Sequence, residues 1–245
     1  MRLAIVEVYP GAMFPQGDGG NLRMLEHRAR ARGVEVETVP APIGDPLPDG
    51  DLYVLQGAED EDQPAVARLL LAEGTLARAA AAGKVVVGIG AGYEILGRSF
   101  ETPEGMDAGL GLLDVETTLG EHADNRVVTR PSSRFGLPAL VGYEWHRGRT
   151  ALGPEAVPLA EVEVGVCNGG DPPTDGAVRG HVLGTYLHGP LLPRNPELAD
   201  FLLGWALGTE LEPLASEFAD RAREERIAEA RDVWRRTQGL LGRFR

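Results

Sequence analysis

The sequence predicts an α/β fold: a mainly parallel, twisted sheet with helices on both faces. Short apolar runs such as Leu3–Val8 and Lys84–Ile89 are rich in Val and Ile, which is typical of strands buried on both faces. Between such runs lie segments with apolar residues at helical spacing, such as Leu22–Ala31. Because strand and helix alternate through the first half of the chain, parallel strand pairing is favoured.

The first half contains four predicted strands and two predicted helices. Asn21 precedes the first helix and is predicted to cap it, because its side-chain oxygen can accept a hydrogen bond from the first free amides. The Ala- and Leu-rich stretch between the last two strands is predicted as one helix. The strands are Leu3–Val8, Val34–Val39, Leu52–Leu55 and Lys84–Ile89, and the helices are Leu22–Ala31 and Asp62–Gly83.

After Asp107 the predicted strands are shorter and are separated by Gly-, Pro- and Asp-rich loops, which predicts a mixed extension of the same sheet. These strands are Leu113–Val115, Val127–Thr129, Leu140–Tyr143, Glu163–Val166 and Val182–Thr185. Pro196–Gly208 is predicted as a helix, and the Arg- and Glu-rich tail Glu217–Arg236 as an outer helix. We therefore expect one α/β domain over residues 1–208 and a helical extension over residues 209–245.

Composition narrows the class of function. The 245 residues are 43% hydrophobic, and the formal net charge of −13 argues against a nucleic-acid or anionic-membrane partner. A single cysteine, Cys167, excludes an internal disulfide and a multi-cysteine metal site. The N-terminus has no signal-peptide pattern, and no apolar run is long enough for a membrane span. We expect a cytoplasmic chain without membrane insertion, metal or cofactor, whose ligand is small or whose partner is a protein.

The stretch KVVVGIGAGYEILG, residues 84–97, predicts a buried strand, a tight glycine turn and a helix. The same order describes a nucleophile elbow, in which one side chain is held above the sheet at a helix N-terminus. A thiol there has a lowered pKa, and nearby amides can bind an oxyanion. The central residue of this turn, Gly90, has no side chain. Taken alone, it is most simply a turn glycine, and it would relieve the backbone strain of an elbow.

Five stretches carry a resemblance to a known family. The most specific is GTYLHGPLLPRNPELADFLL, residues 184–203; the others are VGYEWHRGRT (141–150), QGDGGN (16–21), QGAEDEDQ (56–63) and NRVV (125–128). Together they resemble the class I glutamine amidotransferases of the cobyric acid synthase type, and in particular the GatD-type subunits of lipid II isoglutaminyl synthase. The family's stretch corresponding to 141–150 reads approximately Gly-Phe-Glu-Asn-His-Gly-Gly-Arg-Thr. The resemblance covers nearly the whole chain and implies a single amidotransferase domain.

The resemblance also implies roles for individual residues. It places the catalytic histidine at His188 and the cysteine nucleophile at the position of Gly90. It implies that Arg126 holds glutamine, with further substrate-binding positions at Gly57, Ala58 and Ala91. Without the family context, His188 would be a structural histidine, Arg126 a surface charge, and Cys167 a small buried apolar residue. The acidic run Glu59–Asp62 would be a solvated loop.

The chain departs from the family pattern around the elbow. Gly90 replaces the cysteine, Glu94 replaces a glutamine, and Gln56 and Ala58 replace glycines of the expected oxyanion loop. Amide hydrolysis by this route needs a thiolate to form a glutamyl thioester, which glycine cannot do. Pro190 stands two residues after His188, where the family commonly has a glutamate, so no nearby acid in the sequence orients the imidazole.

Three functions follow from these features. The first is a GatD-like subunit whose glutaminase is disabled, which works beside a Mur-ligase-like, MurT-type partner that uses ATP; this chain has no P-loop of its own. The second is a sensor that binds L-glutamine without cleaving it. The third treats Gly88-x-Gly90-x-Gly92 as a dinucleotide turn, although the turn does not follow the first strand and position 93 is Tyr.

Overall fold

A computed structural model describes residues 2–13, 19–59 and 61–241. The strands are β1 (Arg2–Val8), β2 (Glu35–Ala41), β3 (Leu52–Leu55), β4 (Val85–Ile89), β5 (Ser99–Thr102), β6 (Gly105–Ala108), β7 (Val115–Thr129), β8 (Val141–Leu152), β9 (Ala160–Val164), β10 (Gly169–Gly170), β11 (Pro173–Asp175), β12 (Ala177–Arg179) and β13 (Val182–Thr185). The helices are α1 (Gly20–Arg30), α2 (Gln63–Glu73), α3 (Thr75–Ala81), α4 (Ala91–Leu96), α5 (Leu191–Arg194), α6 (Pro196–Leu207) and α7 (Glu217–Leu241).

The first sheet confirms the predicted α/β class. Its strand order is β12-β13-β4-β3-β1-β2, and every pair is parallel except β12 with β13. Every residue of β3, β4 and β13 is buried, so both faces of the sheet centre are covered. This is why these strands have uninterrupted apolar sequences instead of alternating ones.

The second half extends that sheet only through β12 and β13, so the prediction that all of its strands continue the first sheet was wrong. The other strands after β4 form a separate sheet of order β10-β11-β9-β7-β5-β6, with β8 paired to β7. Its largest unit is the long antiparallel pair β7–β8, in which buried and exposed residues alternate. An antiparallel pair of this kind can leave one face in solvent, whereas the centre of the first sheet is buried on both faces. Because polar residues interrupt the apolar ones in β7 and β8, only short parts of these two strands were predicted from the sequence.

Two helix predictions also need correction. Gly74 has φ of 70° and ends α2 before α3 begins, so the stretch Asp62–Gly83 is two helices. Asn21 lies inside α1, which begins at Gly20, and it does not cap the helix. Its buried side chain instead accepts a hydrogen bond from the backbone N of Leu192 at 2.9 Å and donates to the Gln56 side chain at 3.4 Å.

The predicted tail helix is confirmed as α7, which packs on the second sheet. Ala230 is buried with Val128, Val141 and Val164, and Ile227 and Trp234 pack beside it. The residues of α7 in this cluster follow helical spacing, as the sequence predicts. The division into residues 1–208 and 209–245 stays a prediction. Within the described residues, no helix is both long enough and apolar enough to cross a membrane.

Candidate functional site

Gly90 forms the sharp turn between β4 and α4. Its backbone has φ of 58° and ψ of −120°, a conformation that is strained for residues with a Cβ. The turn is held by a hydrogen bond from the Gly90 N to the Thr185 O at 2.9 Å and by one from the Tyr93 N to the Gly90 O at 2.9 Å. This strand–turn–helix arrangement is the backbone of a nucleophile elbow.

The elbow has room for a side chain. Among the described residues, a Cβ added to Gly90 would meet only the Gly57 Cα, at 3.9 Å, which is an ordinary contact. By contrast, a Cβ on Gly92 would lie 2.5 Å from the Leu55 O, so α4 needs glycine there to pack against the end of β3. Gly92 is therefore required by packing, whereas Gly90 is required by neither packing nor a close backbone approach.

The loop after β3 brings Gly57 and Ala58 to the elbow. It begins at Gln56, whose buried side chain accepts from the Asn21 side chain at 3.4 Å and donates to Glu7 at 3.3 Å. The Gln56 side chain thus ties this loop to α1 and β1. Asp60 of the acidic run and residues 16–18 of the QGDGGN stretch lie outside the described residues.

A small pocket of about 60 Å³ opens beside the elbow. Its walls come from the elbow, the loop after β3, the strand β5 with its following turn, and the β7–β8 pair. The lining residues are Ala58, Gln63, Gly90, Ala91, Glu94, Glu101, Thr102, Pro103, Leu119, Trp145, His146, Arg147 and Gly148. The pocket therefore includes three of the predicted site residues, Ala58, Gly90 and Ala91, while His188 and Arg126 do not line it.

His188 follows β13, the strand that pairs with β4, so it lies at the same edge of the sheet as Gly90. Its backbone pairs with that of Tyr143, and the two rings meet edge to face with centroids 5.4 Å apart. Burial lowers the pKa of His188 to about 4, with the charges of His146 and Arg194 acting in the same direction and Glu144 opposing them. The imidazole is therefore neutral at pH 7. Within the described residues, no carboxylate hydrogen-bonds to it.

A buried carboxylate–imidazole pair, Glu144 and His146, was not predicted as part of the site. The Glu144 Oε2 lies 3.2 Å from the His146 Nε2, and Asn125 and the backbone amides of Val166 and Cys167 donate to the same carboxylate. Burial would raise the pKa of Glu144, but the hydrogen bonds from His146, the Cys167 amide and Asn125 outweigh it and lower the pKa. The signal in the sequence was a charged residue at an inward position of an alternating strand.

His146, unlike His188, faces the elbow pocket. Its ring stacks on Tyr186 with centroids 3.7 Å apart and a tilt of 7°. Its Nδ1 lies 3.1 Å from the Gly148 O, while its Nε2 faces Glu144. Both ring nitrogens thus face acceptor oxygens, so neither is directed at a ligand in the pocket. His146 shapes the wall without being placed as a general base.

Glu94 belongs to a buried polar network beside the same pocket. It accepts hydrogen bonds from the Tyr186 hydroxyl at 2.9 Å and from the Gln63 side chain at 2.7 Å. The network continues from Tyr186 to the hydroxyls of Thr150 and Thr117. The carboxylate is therefore anchored in the pocket wall, where a bound ligand would meet its charge.

Arg126 does not line the elbow pocket, although the resemblance implies that it holds glutamine. It lies on β7, and its guanidinium forms an ion pair of 2.8 Å with Glu229 of α7. Both side chains are about half exposed, and an ion pair of this kind adds little stability. In this structure Arg126 is bound to the chain's own C-terminal helix.

Cys167 is not part of the elbow. It is fully buried, and burial together with the carboxylates of Asp175 and Glu144 raises the pKa of its thiol well above the ordinary value. A buried thiol that stays protonated is not a nucleophile. No cluster of residues suited to hold a metal ion is present within the described ranges.

Comparison with solved structures identifies the fold class. A crystal structure titled glutamine amidotransferase aligns with a TM-score of 0.54 and 18% identity, covering 82% of this chain and 98% of that one. At this identity the likeness shows the fold alone. The likeness agrees with the mainly parallel first sheet of this chain.

The chain belongs to the CobB/CobQ-like glutamine amidotransferase domain family, which matches residues 7–196. It is 34% identical over 193 residues to the subunit GatD of the glutamine-hydrolysing lipid II isoglutaminyl synthase of Staphylococcus aureus (strain N315), covering 76% of each chain. It is 39% identical over 170 residues to a cobyric acid synthase of Mycolicibacterium gilvum (strain PYR-GCK), covering 66% of this chain and 30% of that enzyme. The resemblance drawn from the motifs is thereby confirmed.

Proposed function

We propose that the chain is a GatD-like subunit of a lipid II isoglutaminyl synthase-type complex whose own glutaminase is disabled. The observation that carries the proposal is the elbow at Gly90, which retains the backbone conformation of a nucleophile site but has no side chain. Family membership and the GatD relative support the fold and the type of complex.

The loss of hydrolysis follows from the chemistry. A glutamyl thioester cannot form without a thiol, and the one cysteine of the chain is buried away from the elbow. A neutral His188 could accept a proton at pH 7, but position 90 has no side-chain proton to give. Removal of a covalent nucleophile typically lowers kcat by several powers of ten, to about the level set by the remaining site. The subunit is then a pseudoenzyme.

The partner proposed for this chain is a Mur-ligase-like subunit of the MurT type. It would use ATP to activate a carboxylate of a peptidoglycan precursor, and the ammonia would come from solution or from another source. Such a complex would work in the cytoplasm, as the sequence leads us to expect. In this assembly the chain has a structural or regulatory role and does not supply ammonia.

A second candidate is a sensor that binds L-glutamine without cleaving it. It is favoured by the pocket at the elbow, which keeps Ala58, Gly90 and Ala91 together although the nucleophile is absent. In this candidate Arg126 would have to leave Glu229 to reach a ligand. The two candidates differ in what they bind, so a binding experiment separates them.

The deciding experiment combines co-expression with calorimetry. The chain and a Mur-ligase-like protein from the same genome are co-expressed and passed over a size-exclusion column at micromolar concentration; co-elution is expected, because a functional interface buries enough surface to survive this dilution. Separate elution of two folded chains would remove the main support for a shared complex. Saturable glutamine binding without glutamate release would instead favour the sensor.

A further inference from the structure

A second cavity, of about 580 Å³, runs along one face of α6. The residues of α6 that line it follow helical spacing: Glu197, Asp200, Phe201, Gly204 and Trp205. The opposite face of the helix, with Leu198, Ala199, Leu202 and Leu203, is buried in the core. This helix therefore presents an aromatic and acidic stripe to the cavity and an aliphatic stripe to the protein interior.

The other walls come from three separate segments. Phe135 and Leu137 lie in the connection between β7 and β8, His181 lies in the turn before β13, and Glu210 and Leu211 lie between α6 and α7. His181 precedes β13 whereas His188 follows it, so this cavity is at the opposite end of that strand from the elbow. The two cavities share no lining residue.

Aromatic rings form a continuous wall of the cavity. Phe201 lies between Phe135 and Trp205, with centroid distances of 5.7 Å and 4.3 Å, and His181 stacks on Trp205 at 5.1 Å. Clefts of roughly 300–1,000 Å³ with aromatic walls are typical of small-molecule sites. The faces of such rings carry partial negative charge, which attracts cations.

The charged groups of the wall have the same sign. Three carboxylates line the cavity, those of Glu197, Asp200 and Glu210, and none of the lining residues is Lys or Arg. Glu197 is bound by Arg223 and Asp200 by Arg28 and Arg32, but these arginines do not line the cavity. Ionised carboxylate oxygens can each accept more than one hydrogen bond, so both acids keep acceptor capacity toward a ligand.

Glu210 differs from the two deeper acids. It is exposed at the cavity edge, and no ion pair of its carboxylate is found among the described residues. It can therefore be replaced without breaking a salt bridge in the described structure. This makes it the residue of choice for testing the charge of the site.

We propose that this cavity binds a small organic ammonium compound, in which an alkylammonium group is carried on a compact apolar body. The aromatic wall would contact the methyl and methylene groups and the positive charge, and the carboxylates would complete the cation site. An anionic ligand would meet three acids, and the lining contains no Lys or Arg to balance them. This cavity is separate from the elbow pocket, so ligand binding here does not depend on the function proposed for the elbow.

Choline and its neutral isostere 3,3-dimethylbutan-1-ol test the proposal directly, because they share shape and differ in charge. Each is titrated into the full chain in a calorimeter at low salt. We expect saturable choline binding at least about fivefold tighter than binding of the isostere, from the cation–π and carboxylate contributions. Equal affinity for both probes, or no saturation with choline, would overturn the proposal.

Two substitutions in the cavity and one control outside it test whether choline binds in this cavity. Trp205→Leu should weaken choline binding about tenfold, whereas Phe218→Leu, which changes an exposed aromatic residue of α7 outside the cavity, should leave it unchanged. Glu210→Gln should weaken choline binding about threefold and leave the isostere unaffected. If Trp205→Leu does not fold, Glu210→Gln still tests the location, because Glu210 is exposed and its replacement does not disturb the core. Equal choline affinity in Glu210→Gln and the unmodified chain would contradict the assigned location.

Discussion

Gly57 and Gly90 face each other across the elbow, with the Gly57 Cα 3.9 Å from the point where a Cβ of residue 90 would stand. The backbone there has the conformation that an elbow imposes, and the space for a side chain is open. Among the described residues, no neighbouring side chain fills this space. Glycine now holds, without steric cost, a turn that would strain any other residue.

This relationship predicts that a side chain at position 90 lowers stability. Gly90→Ala should decrease the free energy of unfolding by about 1–2 kcal/mol, because φ near +58° is unfavourable for a residue with a Cβ. Gly57→Ala is the matched control, because its added Cβ meets no atom of the described residues within 4 Å and its φ is not in the left-handed range. Urea unfolding measures both. Equal losses in the two variants would show that the elbow carries no strain.

Restoring the thiol alone should restore little activity. The unmodified chain is expected to release no glutamate from saturating glutamine above background, and Gly90→Cys to release only a trace, because a nucleophile acts as a unit with its surroundings. Ala58 and the charge of Glu94 remain in the pocket wall. Combining Gly90→Cys with Ala58→Gly and Glu94→Gln, with the partner present, should give measurable turnover.

The assay compares the unmodified chain, the single variant, the triple variant, and the triple variant with His188→Ala. The last should return to background if His188 moves protons in the restored reaction. Robust turnover by the unmodified chain would refute the disabled site. Strong rescue by Gly90→Cys alone would show that the surrounding groups are still arranged for catalysis.

The sequence was sufficient for the parts of the site that depend on local backbone. The strand–turn–helix at Gly90 follows from β-branched residues before a glycine cluster, and the structure has it at β4 and α4. The Glu144–His146 pair has only a weak local signal, because the amides that bind the Glu144 carboxylate belong to Val166 and Cys167, 22 and 23 residues further along the chain. The separate second sheet was missed for the same reason: strand pairing between distant segments leaves little local signal.

The attachment of α7 to the second sheet gives a third prediction. Ala230→Asp should lower the free energy of unfolding or detach the helix, because Ala230 is 3% exposed and a buried carboxylate there would have no partner. Ala228→Asp on the exposed side of the same helix is the control. Limited proteolysis should cut the first variant between residues 209 and 216 more rapidly. Identical digestion of both variants would contradict the observed packing of α7.

The buried Asp175 and the half-buried His188 give the free energy of unfolding opposite dependences on pH. The pKa of Asp175 is raised to about 6 by burial, so the stability it contributes is present below its unfolded pKa and is lost as pH rises through about 6. The pKa of His188 is lowered to about 4 by burial, so its unfolded form binds a proton first as pH falls below about 6.5. The two effects oppose each other between pH 4 and 6, which hides both in the unmodified chain.

A difference measurement separates them and provides the fourth prediction. Urea unfolding of the unmodified chain and of His188→Gln is followed from pH 7.5 to 4.5, and the free energies are subtracted, which cancels Asp175. Because only the unmodified chain must keep His188 neutral, its advantage should shrink as pH falls below about 6.5, by about 2.5 kcal/mol at pH 4.5. A difference that stays constant with pH would mean that the His188 imidazole is solvated and free to charge, and the neutral proton acceptor inferred for the restored site would be lost with it.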